Sequence, residues 1–338
     1  MHNRYRNLAI DAIKGLMIIL IILHHSRLVP TLRHGYLGVD VFFIIAGYFL
    51  MQSFIRKKGT AFGYTIHRLK QVYLPYLISL GLACILDYKR LTSFQGFDGF
   101  IETYAPFSTF LTLTEEAGFI FHSPVILVGG WYLSVLVIGG FLLYGLLEFD
   151  DKLSTKVLLP FSLLLGYTFL FSEKPSLENF SIVGAFSFPL LRGFLDMGTG
   201  VLLFTIFGDE QERLILHRKQ ISIVSIAALV LFCAILLVQK PLDCFLLICA
   251  PLFITGALIP DTWVQRFYNG AHTKVLPFLG SLSLELYLIH QPILHIVHSS
   301  FKFLHLPINA AILIPVDLAA VLFSAVALHQ ICLRIQSK

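Results

Sequence analysis

The chain has 338 residues, of which 57% are hydrophobic and 13% charged, with a mean hydropathy of +0.79. It is far more apolar than a soluble globular domain of that length, which excludes a soluble enzyme and predicts an all-α polytopic membrane protein with a single integral domain over 1–338. The net charge of +5 reads as membrane topology and gives no reason to expect nucleic acid as a partner.

In chain order, apolar runs predict spans near 8–25, 37–54, 72–87, 125–147, 157–171, 182–207, 221–238, 245–259, 278–298 and 308–331. This is a bundle of about ten transmembrane helices at roughly 20 residues each. Each must be helical, because hydrocarbon offers no water to satisfy backbone polar groups. Segment 88–124 reads differently. Its apolar stretch from Tyr104 to Leu113 is short for a span, and Phe94, Phe97, Phe100, Phe107, Phe110, Phe119 and Phe121 punctuate the region. That combination predicts an interfacial or re-entrant piece. With the N-terminus inside, most of the Lys and Arg between spans, among them Arg56, Lys57, Lys58, Lys152, Lys156, Arg218 and Lys219, fall in inner loops. Both termini are therefore expected to be cytoplasmic, in a multi-pass protein of the plasma membrane, the inner membrane of a bacterium.

The basic start followed by an apolar run imitates a signal peptide, but Asp11 and Lys14 interrupt it and many spans follow, so it is expected to stay as the first helix. Cys84, Cys233, Cys244, Cys249 and Cys332 lack ligand spacing, and neither a zinc pattern, an HExxH nor a Walker-type loop occurs. No metal and no permanently bound cofactor are expected, and ATP-driven transport and metalloprotease chemistry lose their support.

Polar groups embedded in spans gather in four places, each a functional candidate because ionisable groups at membrane depth are costly. Lys14 and His25 have ten residues between them in the first span. Eleven steps of about 100° return the helix to within roughly 20°, so the two side chains share a face about 16 Å apart along the axis, with His24 off that stripe. The plainer alternative has Lys14 snorkelling to the headgroups and pairing with Asp11. Asp40 opens the second span at a depth similar to His25; it either orients that imidazole or simply favours a helix N-terminus. Arg68 and Lys70 lead into the third span, as phosphate partners or as ordinary positive-inside anchors. Ser283, Glu285, Tyr287, His290 and Gln291 make the ninth span the most polar late helix, which should face the bundle interior, with hydrogen bonding between helices a sufficient reason for Ser283 and Tyr287.

Taken together these segments resemble the acyltransferase 3 family of integral membrane O-acyltransferases, over nearly the whole chain. Lys14 and His25 match the family's basic residue, ten-residue gap and histidine. Gly38 to Gly47 is similar to its GVDxFFxxSG stretch, with Ala46 in place of serine, and Arg68, Tyr73 and Pro75 to its arginine-rich lead-in ending in Tyr-x-Pro. Trp131-Tyr132-Leu133 resembles its mid-chain tryptophan element, Leu191 to Gly200 its arginine-to-glycine helix, and Ser283 to Pro292 its late SxxxYLxHxP signature. Lysine at position 14 departs from the more usual arginine, and the lead-in to the third span has fewer arginines than many members; a stand-alone transmembrane form, without an extracytoplasmic SGNH-type domain, is expected.

The resemblance implies transfer of an acyl group, commonly acetyl, from cytoplasmic acyl-CoA to a hydroxyl of an extracytoplasmic glycan or lipid-linked sugar. On that reading His25, Asp40 and Lys14 carry the catalysis, with His25 as general base or transient acyl carrier, and Arg68, Lys70, Lys14 and Arg192 hold the donor. Trp131, Tyr132, Ser283, Glu285 and His290 meet the substrate. Two rivals stand beside it: a proton-coupled transporter of a small molecule or lipid-linked sugar, which would show internal repeats that this sequence lacks, and a glycan-binding scaffold with dead chemistry.

Overall fold

The structure is a computed structural model and describes residues 7–93, 96–115, 126–183, 186–208, 214–238, 241–269, 274–307 and 309–337. The chain forms α1 (Leu8–Ser26), α2 (Leu37–Lys57), α3 (Ala61–Leu86), α4 (Tyr88–Thr92), α5 (Gly96–Thr112), α6 (Gly130–Phe149) and α7 (Asp151–Glu173). A two-residue antiparallel ladder, Ile182–Val183 on Phe186–Ser187, then leads into α8 (Phe188–Phe207). There follow α9 (Arg218–Leu237), α10 (Asp243–Leu258), α11 (Trp263–Asn269), α12 (Val275–Ser281), α13 (Ser283–Phe303) and α14 (Ala310–Gln336). The end of the bundle where α1 begins is the lower end below, and the end where α1 finishes is the upper.

Eight described helices, α1, α2, α3, α6, α7, α8, α9 and α14, are long and apolar enough to cross a membrane. The other two expected spans depart for physical reasons. The run 245–259 falls on α10, a shorter apolar helix. The run 278–298 is broken at Leu282 into α12 and α13, and the charged and imidazole side chains of α13 make it too polar to face lipid. α3 begins at Ala61, well before the expected 72, because Thr60 caps the Gly63 N–H and carries the basic lead-in into the same helix. In the aromatic region, the C-terminal end of α5 meets the middle of α3, where Tyr76 and Tyr73 donate to the carbonyls of Phe110 and Leu111 at 2.9 and 2.8 Å. Phe119 and Phe121 lie outside the described residues, as do Arg4 and Arg6 of the basic N-terminus.

α2 is the central helix, with every residue from Leu37 to Tyr48 buried. At the periphery, α7, α9 and α14 present Phe161, Leu164, Val230 and Phe323 outward, the inverse of a water-soluble surface and the arrangement that lipid favours. Close crossings of small residues hold the centre together, as expected where burial of apolar surface gives no drive between helices. The Cα of Gly47 on α2 lies against the backbone carbonyl of Met197 on α8, and Gly200 on α8 against that of Ile44. A second such crossing sets Gly15 of α1 on Leu276, and Gly280 of α12 on Asp11.

A methyl group at Gly200 would overlap backbone rather than a side chain that can turn away. Gly200→Ala is expected to destabilise the protein by about 1–3 kcal/mol, read as a lowered thermal midpoint in detergent. Gly81→Ala on α3, where nothing lies within 4 Å of the added atom, is expected to be neutral or to stabilise by up to about 1 kcal/mol.

Candidate active site

A buried ion pair organises the upper half of the bundle. Arg192 of α8 donates from Nε and Nη2 to the two carboxylate oxygens of Asp40, both at 2.5 Å, and from Nη1 to the carbonyl of Leu177 at 2.8 Å. Asp40 is fully buried and Arg192 nearly so. Such a bidentate contact fixes direction as well as distance. The guanidinium also lies 5.8 Å from the ring centroids of Tyr36 and Trp131. Asp40 therefore faces Arg192 rather than His25, and Arg192, expected near a donor, has each of its three guanidinium nitrogens bonded to Asp40 or Leu177. One turn after Arg192, the fully buried Asp196 accepts from the Tyr167 hydroxyl at 2.8 Å, and its second oxygen has no partner among the described residues.

The loop between α7 and α8 is held from two sides through Leu177. Its carbonyl meets Arg192, and its N–H donates to the buried Asp243 at 2.6 Å. Tyr36 donates to the same Asp243 oxygen at 2.7 Å, and burial pushes its phenol up from the ordinary range. The fixed loop carries Glu178 and Phe180 over the end of α1. There an upper cavity of about 440 Å³ is lined by His24, His25, Trp131, Glu178, Tyr287 and Gln291, among others.

His25 has a defined tautomer. Its Nδ1 lies 2.9 Å from the Ile21 carbonyl one turn back, an acceptor only, so the proton sits on Nδ1 and the Nε2 lone pair remains for a ligand. His290 of α13 stands behind it. Its own Nδ1 donates to the Tyr287 carbonyl at 2.6 Å, leaving Nε2 to accept from His25 Nδ1 at 3.3 Å. Contrary to the stripe read from the sequence, His24 lines the same cavity, because the overhanging loop makes it wider than one helix face. The Nε2 of His24 lies 3.6 Å from Glu178, and this contact holds the Glu178 carboxyl below the usual carboxylate range.

A lower cavity of about 310 Å³ is lined by Lys14, Arg68, Gln71, Tyr132, Ser283 and Tyr287, with apolar residues of α2. Lys14 pairs with Asp11 at 2.8 Å and also lines this cavity. The buried Nε of Arg68 has no partner among the described residues, while its Nη1 lies 3.4 Å from Gln71. Ala46, standing where the family stretch has serine, is on the same wall.

The remaining expected residues divide. Trp131 lines the upper cavity, and Tyr132 and Ser283 the lower. Lys70 is exposed and Glu285 turns away to accept from His329 of α14 at 2.6 Å; neither lines either cavity. Tyr287 and Gln291, named in the polar ninth span without a role, also line the cavities, and sequence reasoning missed Glu178. The first two sit one and two turns beyond Ser283 on α13 and were visible by spacing, whereas Glu178 lies in a loop without periodicity.

Among curated proteins and among solved structures nothing matches the chain. The profile of the acyltransferase domain of the acyltransferase 3 type matches residues 7–332, nearly end to end. The chain belongs to that family and is an acyltransferase by membership, a multi-pass membrane protein by its helices. The match lends nothing to the transport reading.

Removing one partner of a buried ion pair leaves the other charge uncompensated, at about 3–5 kcal/mol. Arg192→Ala is expected to lower folded yield and thermal midpoint more than the double variant Asp40→Asn with Arg192→Gln, which removes both charges together. Equal losses would show that the pair acts through packing alone.

Proposed function

We propose that this member of the acyltransferase 3 family carries an acyl group, acetyl by family resemblance, from acyl-CoA on the cytoplasmic side to a hydroxyl of an extracytoplasmic glycan or lipid-linked sugar. The observation that carries this reading is the pair of chemically unlike cavities that meet inside the bundle. The bias of Lys and Arg toward the loops at the lower end supports the reading that the lower cavity faces the cytoplasm, in a protein of the plasma membrane.

Arg68, whose Nε has no partner among the described residues, and Lys14 suit the phosphates of an anionic donor. Lys70, being exposed, would act only at the cavity mouth. The upper cavity suits a polar, uncharged acceptor. Trp131 and Phe180, with ring centroids 5.4 Å apart and edge to face, offer apolar surface for a sugar ring, and Glu178 and Gln291 offer hydrogen bonds.

In the reaction His25 Nε2 takes the proton of the acceptor hydroxyl as its oxygen attacks the thioester carbonyl. The carbon–sulfur bond then breaks, and the thiolate of the released CoA takes up a proton. The Ile21 carbonyl and His290 hold the imidazole in the tautomer this step needs, which assigns His290 to positioning. Asp40 and Arg192 act one layer further out, by fixing Trp131 and the Leu177 loop.

Mass spectrometry of cell-envelope glycans tests the reading. Cells expressing the wild-type protein are expected to carry an alkali-labile ester that is absent without it, and His25→Gln is expected to lower ester formation by about 100-fold or more with folding intact. Arg68→Ala is expected to raise the donor KM with a smaller change in kcat, the sign of lost ground-state binding. Retained acylation in His25→Gln would remove the proposed base.

A further inference from the structure

The two cavities approach each other from opposite ends of the bundle, and among the described residues they share one lining side chain, Tyr287. Its ring is 4% exposed, with the Tyr132 ring centroid 5.0 Å away on the lower side and that of His290 5.6 Å away on the upper. Tyr132 is backed in turn by Phe43 at 4.7 Å.

The backbone at Tyr287 is held firmly. Its carbonyl accepts from His290 Nδ1, and Gly129 at the start of α6 packs against it. The side chain is held by packing alone: no hydrogen bond joins its hydroxyl to any described residue, and the neighbouring rings and the Gly129 backbone keep it in place. Rotation about the side-chain bonds therefore breaks no hydrogen bond to a described residue.

We propose that the Tyr287 side chain is the partition between the two aqueous compartments. It closes a water path across the bundle while the lower cavity is empty, and turns aside when an acyl-bearing arm enters. At about 30 Å³ per water, the lower cavity has room for roughly ten molecules and the upper for about fifteen. Joined, they would form a wet passage through which protons could leak and water could reach a reactive thioester. An aromatic ring blocks such a file, and its phenolic tip can hydrogen bond to water in either cavity. The turning step rests on the donor-side reading above, whereas the seal does not.

The test uses the purified full chain in phosphatidylethanolamine and phosphatidylglycerol vesicles loaded with a pH-sensitive dye, under an imposed pH gradient and without donor. Wild type and Tyr287→Phe are expected to hold the gradient as protein-free vesicles do, and Tyr287→Ala to dissipate it several-fold faster. With acetyl-CoA added and no acceptor, Tyr287→Ala is also expected to release free CoA several-fold faster than wild type. A folded Tyr287→Ala protein as tight as wild type overturns the partition. If that variant does not fold, Tyr287→Val carries the same expectation and the same refutation. A leak without any hydrolysis of acetyl-CoA would uphold the partition and count against the donor reading instead.

Discussion

The contact between Asp40 and Arg192 is the constraint from which the upper half of the molecule follows. Taking a carboxylate and a guanidinium out of water is so costly that the pair alone is a poor source of stability; its value here is positional. It joins the start of α2 to that of α8, about two turns above the crossing where Gly47 and Gly200 let the two backbones touch. The third guanidinium nitrogen then fixes Leu177, and through it the loop that closes over the end of α1. Without that loop His25 would sit at an open helix end, in bulk water. With it, the same imidazole lines a bounded cavity beside Trp131 and Glu178.

Eight of the ten expected spans and the buried first half of α13 were legible from residue pattern alone, because hydropathy and helical period act within one segment. What periodicity cannot reveal is the partner across a gap. Asp40 lies near the depth of His25, yet Arg192 was at hand as well, and a buried carboxylate goes to a permanent cation before a neutral imidazole. Glu285 likewise turned to His329 on α14, a helix more than forty residues away in sequence. Lys70 stands two residues from Arg68, and at 100° per residue that step moves it from the cavity wall to the outer surface.

The break at Leu282 shows how a local departure becomes a site. A continuous helix through 275–303 would have to run straight past α1. Breaking it lets α12 lie flush on α1 at Gly15 and Gly280, while α13 leaves at its own angle to bring His290 behind His25. Two histidines from distant parts of the chain then share one proton direction. Each gives its Nδ1 hydrogen to a carbonyl of its own helix, so each helix sets the tautomer of its own ring.

The lower and upper cavities differ in their balance of charge, and this decides what each can hold. Below, the charge of Lys14 is offset by Asp11, while the buried Nε of Arg68 has no partner among the described residues. A buried donor with no acceptor is costly unless a ligand supplies one, and an anion supplies it best. Above, Arg27 and Glu178 carry opposite charges beside the imidazoles, so the cavity has no strong preference of sign and suits hydroxyl-bearing, neutral surface. An anionic carrier is thus drawn to one end and a neutral acceptor to the other. The only group that need cross between them is small, uncharged and covalently held until transfer.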